Sequence, residues 1–265
     1  MRHQTVGLVA MQFLNTKGAN LVANLLKGTT LDAVTTWADQ VKTKGKYAFT
    51  RTWHYVDAND NPPDSCSFDE SRDCSDGKCL IGAIALYTDN AGCTKSTAKA
   101  DRIDALKFIS HFLGDITQPL HVCARDKGGN SDKITFDGKK KNLHSIWDTE
   151  IPEKRISDDF NGDQSSYASF LVQQIQSGSY QEQAANWISQ YGVADKSSLG
   201  NSLAAIDWAT DSDALDCSIM AARLKNCPPD FFAAYTNAMP TVGDLQIAKG
   251  GYRLADWINK IGATC

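Results

Sequence analysis

Apolar residues return at helical spacing along most of this chain. Around Phe108 the positions Ile103, Leu106, Ile109, Phe112, Leu113 and Ile116 follow the three-and-four rhythm of one helix face, which predicts a helix over 96–117. The same rhythm predicts helices over 5–14, 31–42 with Thr30 as its cap, 80–89, 167–177, 181–191, 199–226, 231–239 and 243–261. Pro119 stops the central helix and turns the chain toward His121. The clearest strand signal is 133–142, where Asp137-Gly138 sits at the middle of a β-hairpin pattern. Trp53, Tyr55 and Val56 give 54–57 an extended character, and the N-D-N-P-P run from Asn59 opens a long loop that lasts to Cys79. Trp147, Trp208 and Trp257 read as packing residues. The fold class is therefore all-α, mainly helical with one small hairpin and long loops. No linker rich in proline or glycine divides the 265 residues, so a single domain over 1–265 is expected.

Composition adds two constraints. Hydrophobic content of 42% and charged content of 22% suit a soluble globular protein, and no apolar run reaches transmembrane length, so no membrane association is expected. A net charge of −4 and a pI near 5.7 argue against gripping duplex nucleic acid by counterion release. An acidic protein can still act on a phosphodiester when bound metal supplies the positive charge. Eight cysteines, at 66, 74, 79, 93, 123, 217, 227 and 265, form no C-x-x-C pair and suit disulfides, hence a secreted protein. Met1 and Arg2 precede His3 with no apolar signal segment; the expectation is a native start upstream, after a signal peptide outside this chain.

The chemistry concentrates in 108–148. His111 and Asp115 stand four apart in the central helix, one turn from each other on one face, and His144 and Asp148 repeat that spacing. His121 lies between the pairs. A lone histidine on an apolar helix face is more often a satisfied core residue, and one H-x-x-x-D pair could be a carboxylate orienting a ring. Two such pairs are harder to dismiss. Asp115 also lies in an apolar run, where a buried carboxylate requires a cation or donors nearby. Adding Asp39 and His54 gives enough nitrogen and oxygen ligands for more than one zinc.

The order of motifs resembles the S1/P1 nuclease family of zinc-dependent single-strand nucleases and 3′-nucleotidases. The matching pieces are T-T-W-A-D (35–39), H-Y-V-D-A-N-D-N-P-P (54–63), A-L-K-F-I-S-H-F-L-G-D-I-T-Q-P-L-H (105–121), G-G-N (128–130), N-L-H-S-I-W-D-T (142–149), W-A-T-D (208–211) and G-Y-R-L-A (251–255). The resemblance implies three zinc ions: one on Asp39, His54, His111 and Asp115, one on His121, His144 and Asp148, and a third on His3 with Asp115 as a bridge. The family completes the third site with an N-terminal Trp, for which this sequence has no counterpart before His3.

By the same resemblance, zinc-held hydroxide attacks phosphorus, with Asp39 and Lys42 as catalytic residues and the Lys42 cation stabilising the phosphate. Tyr55 would stack a base, Asp57 would hydrogen-bond it, and Asn130 would belong to the substrate site. On its own Lys42 reads as a solvated surface lysine, and Tyr55 equally as a core aromatic. The implied disulfides are Cys66 with Cys217 and Cys74 with Cys79. Cys93, Cys123, Cys227 and Cys265 remain, with three pairings open. The implied activity is endonucleolytic cleavage of single-stranded DNA and RNA to 5′-nucleotides, with 3′-nucleotidase activity, by a monomer. Two alternatives stand beside it: a zinc-dependent phospholipase C, and a non-catalytic relative that keeps zinc for stability and binds nucleotides.

Overall fold

The structure, a computed structural model, describes residues 3–94, 96–217 and 242–265. Its centre is the helix Lys99–Asp115, which is buried almost continuously from Ala105 onward, as its apolar periodicity requires. This helix packs along Leu80–Ala91. There Tyr87 stacks on Phe108 at 4.3 Å and Phe108 on Phe112 at 5.4 Å, while Trp37 and Tyr47 set their edges against Phe108. Such offset and edge-on pairs add specificity to plain apolar burial.

The long helix Asp244–Ala263 lies against the central helix and against His3–Met11. The two backbones approach closely because Gly251 has no side chain: a Cβ there would meet Val9 at 2.5 Å. Trp257 is fully buried, donates its indole N–H to Thr88 Oγ1 at 2.7 Å and meets Trp208 edge-on. A smaller apolar cluster of Leu120, Phe136, Leu143, Ile146, Trp147 and Ile151 lies under the hairpin. The hairpin pairs Lys133–Phe136 with Lys139–Asn142 in antiparallel register, and Asp137 and Gly138 turn it with positive φ, as predicted.

The mainly helical class expected from the pattern holds, with differences in detail. The predicted helix over 31–42 is two short helices, Leu31–Val34 and Trp37–Val41, and Thr30 occupies its cap position without a side-chain hydrogen bond. His54 closes a ten-residue 3₁₀ segment, Gly45–His54; extended backbone begins only at Tyr55. The loop after Asn59 contains one helical turn, Glu70–Asp73. The predicted helix over 181–191 stops at Ala184, and that over 199–226 is Leu203–Leu215, begun by the Ser202 hydroxyl. Its remainder past 217, and the helix predicted over 231–239, lie outside the described residues.

Two helices were not predicted. Thr16–Leu26 carries Gly18 and two asparagines, weak helix formers, and is rescued by burial of Leu21, Leu25 and Leu26 and by the Asn15 cap. Ile151–Phe160 is rich in charge and starts with Pro152 in its first turn. Disulfides join Cys66 to Cys217, Cys74 to Cys79 and Cys93 to Cys265. Cys123 is buried and donates to Asp216 Oδ2 at 3.0 Å; Cys227 lies outside the described residues.

Candidate metal centre

The eight ligand-type residues predicted from sequence come from six separate segments and meet at the end of the central helix. His111 and Asp115 hold the expected one-turn geometry, with Nε2 to Oδ2 at 3.1 Å. His144 and Asp148 do the same at 3.2 Å, on a turn that widens to π geometry over Ile146–Glu150. The break in the 31–42 helix has a role here. It frees the Thr35 carbonyl, which accepts from His111 Nδ1 at 2.6 Å. His121 Nδ1 donates in the same way to the His54 carbonyl at 2.7 Å, and His144 Nδ1 to the Gly128 carbonyl at 2.8 Å. Each ring therefore keeps a proton on Nδ1 and turns its Nε2 toward a carboxylate of the cluster. Gly128 sits at φ +61°, and a Cβ there would meet the Leu120 carbonyl at 2.6 Å, so the G-G-N turn that offers its carbonyl to His144 requires glycine.

Asp115 is the hub. Its Oδ2 lies 3.1 Å from both His54 Nδ1 and His111 Nε2, while its Oδ1 lies 3.2 Å from His3 Nε2 and 3.5 Å from His121. Asp39 Oδ1 stands 3.6 Å from both His54 and His111, and His3 stacks on His111 at 3.8 Å between centroids. Asp148 Oδ2 is 3.4 Å from His121 Nε2, and its other oxygen accepts from Gln118 Nε2 at 2.9 Å. Within this centre three groups have ligand atoms within 4.8 Å of one another: His3, Asp39 and His111; His54, His111 and Asp115; His121, His144 and Asp148.

The electrostatics are those of an anionic cluster. Burial works to raise Asp115, but His111 and His121 outweigh it and hold the carboxyl well below the usual carboxylate range. Burial likewise opposes a proton on His121, yet Asp115 and Asp148 raise that ring to about 9. His3 falls to about 4 through burial and the charge of His111. Ionised carboxylates thus draw positive charge into a buried site. The donor set fits zinc: imidazole nitrogen and carboxylate oxygen, no thiolate, and three rings oriented by backbone carbonyls.

The remaining predicted residues lie beside the centre. Lys42 Nζ holds Asp39 Oδ1 at 2.6 Å. Tyr55, Asp57 and Asn130 line one cavity of about 560 Å³ whose wall includes His144, together with Asn59 and Lys127. Tyr55 is exposed rather than packed in the core, and burial with the nearby charge of Asp73 raises the Asp57 carboxyl. Sequence reasoning missed the carbonyls of Thr35, His54 and Gly128, which no side-chain pattern signals. It also missed Gln118 and Lys127, although both sit inside or beside the quoted motifs.

A mainly helical protein that gathers five imidazoles and two further carboxylates around the buried Asp115 has the make-up of a metal-dependent hydrolase. Comparison with known proteins narrows this class. The family description S1/P1 Nuclease matches residues 2–263. The chain is 38% identical over 266 residues to Nuclease P1 of Penicillium citrinum, covering 98% of this chain and 96% of that one, and equally to Nuclease PA3 of a Penicillium species. It is 34% identical over 268 residues to Nuclease S1 of Aspergillus oryzae, covering 98% and 90%. The chain belongs to the S1/P1 nuclease family. It is a nuclease, a hydrolase of the endonuclease type, and nucleic acid is its substrate class. No described helix is long and apolar enough to cross a membrane.

Proposed function

We propose that this chain is a zinc-dependent phosphodiesterase, secreted and monomeric, that cleaves single-stranded DNA and RNA to 5′-nucleotides and removes 3′-phosphates from nucleotides. The observation that carries this reading is the trio of imidazoles, His111, His121 and His144, each fixed by a backbone carbonyl so that Nε2 meets a carboxylate. Asp39, His54, His111 and Asp115 would hold one zinc, His121, His144 and Asp148 a second, and His3 with Asp115 a third. Bound zinc supplies a Lewis acid for phosphoryl oxygens and lowers the pKa of a coordinated water to about 7.

The chain's own residues supply orientation and selection. Asp115 faces two sets of rings with its two oxygens and so ties the groups into one unit. Lys42 places a cation at the rim, where it balances charge on a phosphate and restrains Asp39. Tyr55 offers an exposed ring to a base, and stacking needs that base unpaired, which favours single strands. Asp57 and Asn130 offer hydrogen bonds to the stacked base in the same cavity. Asp57, Asn59, Lys127 and Asn130 give a nucleotide hydrogen-bonding partners in this cavity that an acyl chain would leave unpaired, which favours this reading over a phospholipase.

Elemental analysis of the purified protein, run beside release of acid-soluble nucleotides from single-stranded DNA, tests the proposal. The expected result is about three zinc ions per chain and activity lost to EDTA and restored by zinc. A protein without zinc that still cleaves, or one loaded with zinc that leaves single strands intact, would overturn it.

A further inference from the structure

Between Lys42 and Tyr55 the chain reads K-T-K-G-K-Y-A-F-T-R-T-W-H-Y, four cations with no carboxylate, in a protein whose net charge is −4. Most of this stretch is the 3₁₀ segment Gly45–His54, and its last residue, His54, belongs to the metal centre. Phe49 is 55% exposed, more than any other large hydrophobic side chain among the described residues. It is not loose: its ring stands edge-on to Trp53 at 5.0 Å, and Trp53 rests against the buried Tyr87. Exposing a supported aromatic forgoes apolar burial, and the sequence surrounds it with positive charge. Lys44 and Arg51 are exposed, and neither has a carboxylate within ion-pair distance among the described residues. Lys46 shares its charge with Asp104 at 3.7 Å, and Lys42 with Asp39.

We propose that this segment is a second binding subsite for the single strand, in which Phe49 stacks an unpaired base and Lys44 and Arg51 hold the flanking phosphates. The occupant follows from charge complementarity: a rigid, exposed ring between unpaired cations matches a chain of bases joined by phosphates. Geometry connects it to the cut. A 3₁₀ segment rises about 2.0 Å per residue, so Phe49 stands about 10 Å along the axis from His54, within reach of the same strand. The cavity of Tyr55 then takes the nucleotide at the scissile bond, and the Phe49 subsite takes a neighbour. A dinucleotide fills the first and not the second. The inference rests on the nuclease reading for its substrate, but its test reads binding apart from cleavage.

The experiment uses the zinc-loaded protein, a fluorescent 30-nucleotide phosphorothioate oligothymidylate for anisotropy, and thymidylyl-thymidine for turnover. Phe49→Ala is expected to weaken binding of the 30-mer about tenfold, and Phe49→Trp to restore it. Lys44→Ala with Arg51→Ala is expected to lower the slope of log affinity against log salt by about 1.4, two phosphate contacts at about 0.7 each. Dinucleotide turnover should stay at the wild-type value in all three proteins. Unchanged 30-mer affinity overturns the subsite. So does an equal loss on the dinucleotide, which would mean that Phe49 acts only by supporting His54, and so does a self-association lost in Phe49→Ala, which would give the face to a second copy. If the wild type leaves the dinucleotide intact while Phe49→Ala still weakens the 30-mer, the catalytic reading fails and the subsite stands.

Discussion

At the scale of the residue, two buried aspartates show how surroundings choose a charge state. Asp115 is held ionised because histidines surround it, whereas Asp213 is pushed up to about 7 by burial and by the charge of Asp60, with Asp216 adding to it. The folded protein therefore holds the Asp213 proton more tightly than the unfolded chain, whose carboxyl stays near 3.8. The associated stability is full below about pH 4 and is lost as pH rises through 7. Asp213→Asn removes the penalty without changing the side chain's shape. Thermal melts should show a gain of a few degrees at pH 8, at roughly 2–4 °C per kcal/mol, and none at pH 4. An equal gain at both pH values would show that the charge is not the cause. His111, Asp115, His144 and Asp148 were legible as candidate ligands at this scale because ligand chemistry resides in residue type and helical spacing, whereas His3 entered only through the resemblance in motif order. Their protonation was not, since it depends on carbonyls and carboxylates brought in from elsewhere in the chain.

At the scale of the element, small departures from regularity place the site. The interruption at Thr35 and the widened turn at Ile146–Glu150 both lie beside a ligand. Neither was legible, because an apolar rhythm reports which face is buried and not where a backbone group leaves its ladder. Gly114, inside the central helix, makes room for a ring: a Cβ there would meet His3 Nδ1 at 2.6 Å. Gly114→Ala should strengthen the isolated helix by up to about 1 kcal/mol while displacing His3. The expected outcome is about one zinc fewer per chain by elemental analysis, with Tm held or raised. A full zinc complement and wild-type turnover would show that the ring moves aside freely.

At the scale of the whole molecule, candidate ligands as far apart as His3 and Asp148 are brought to one end of the central helix, and covalent links hold the surrounding loops. The Cys66–Cys217 bridge spans 151 residues and ties the loop after Asn59 to the end of the Leu203–Leu215 helix. Its chain-entropy contribution is about 5 kcal/mol. Paired Cys66→Ser and Cys217→Ser substitutions should lower the unfolding free energy read from urea titration by an amount of that order, measured with zinc present. Replacing Cys93 and Cys265 tests the bridge that fastens the last residue to the loop after Leu80–Ala91.

Residue identity and helical period by themselves determined that His111 shares a face with Asp115 and His144 with Asp148, and that the protein is mainly helical. Both are local consequences of backbone geometry. Only the tertiary structure decided that Thr35, His54 and Gly128 would orient the imidazoles, that Tyr55 and Asn130 would line one cavity, and that Phe49 would stand exposed among cations beside the centre. Those contacts join residues far apart in the chain. They are set by which helix faces pack together and by where glycines let backbones approach, and no local pattern encodes that arrangement.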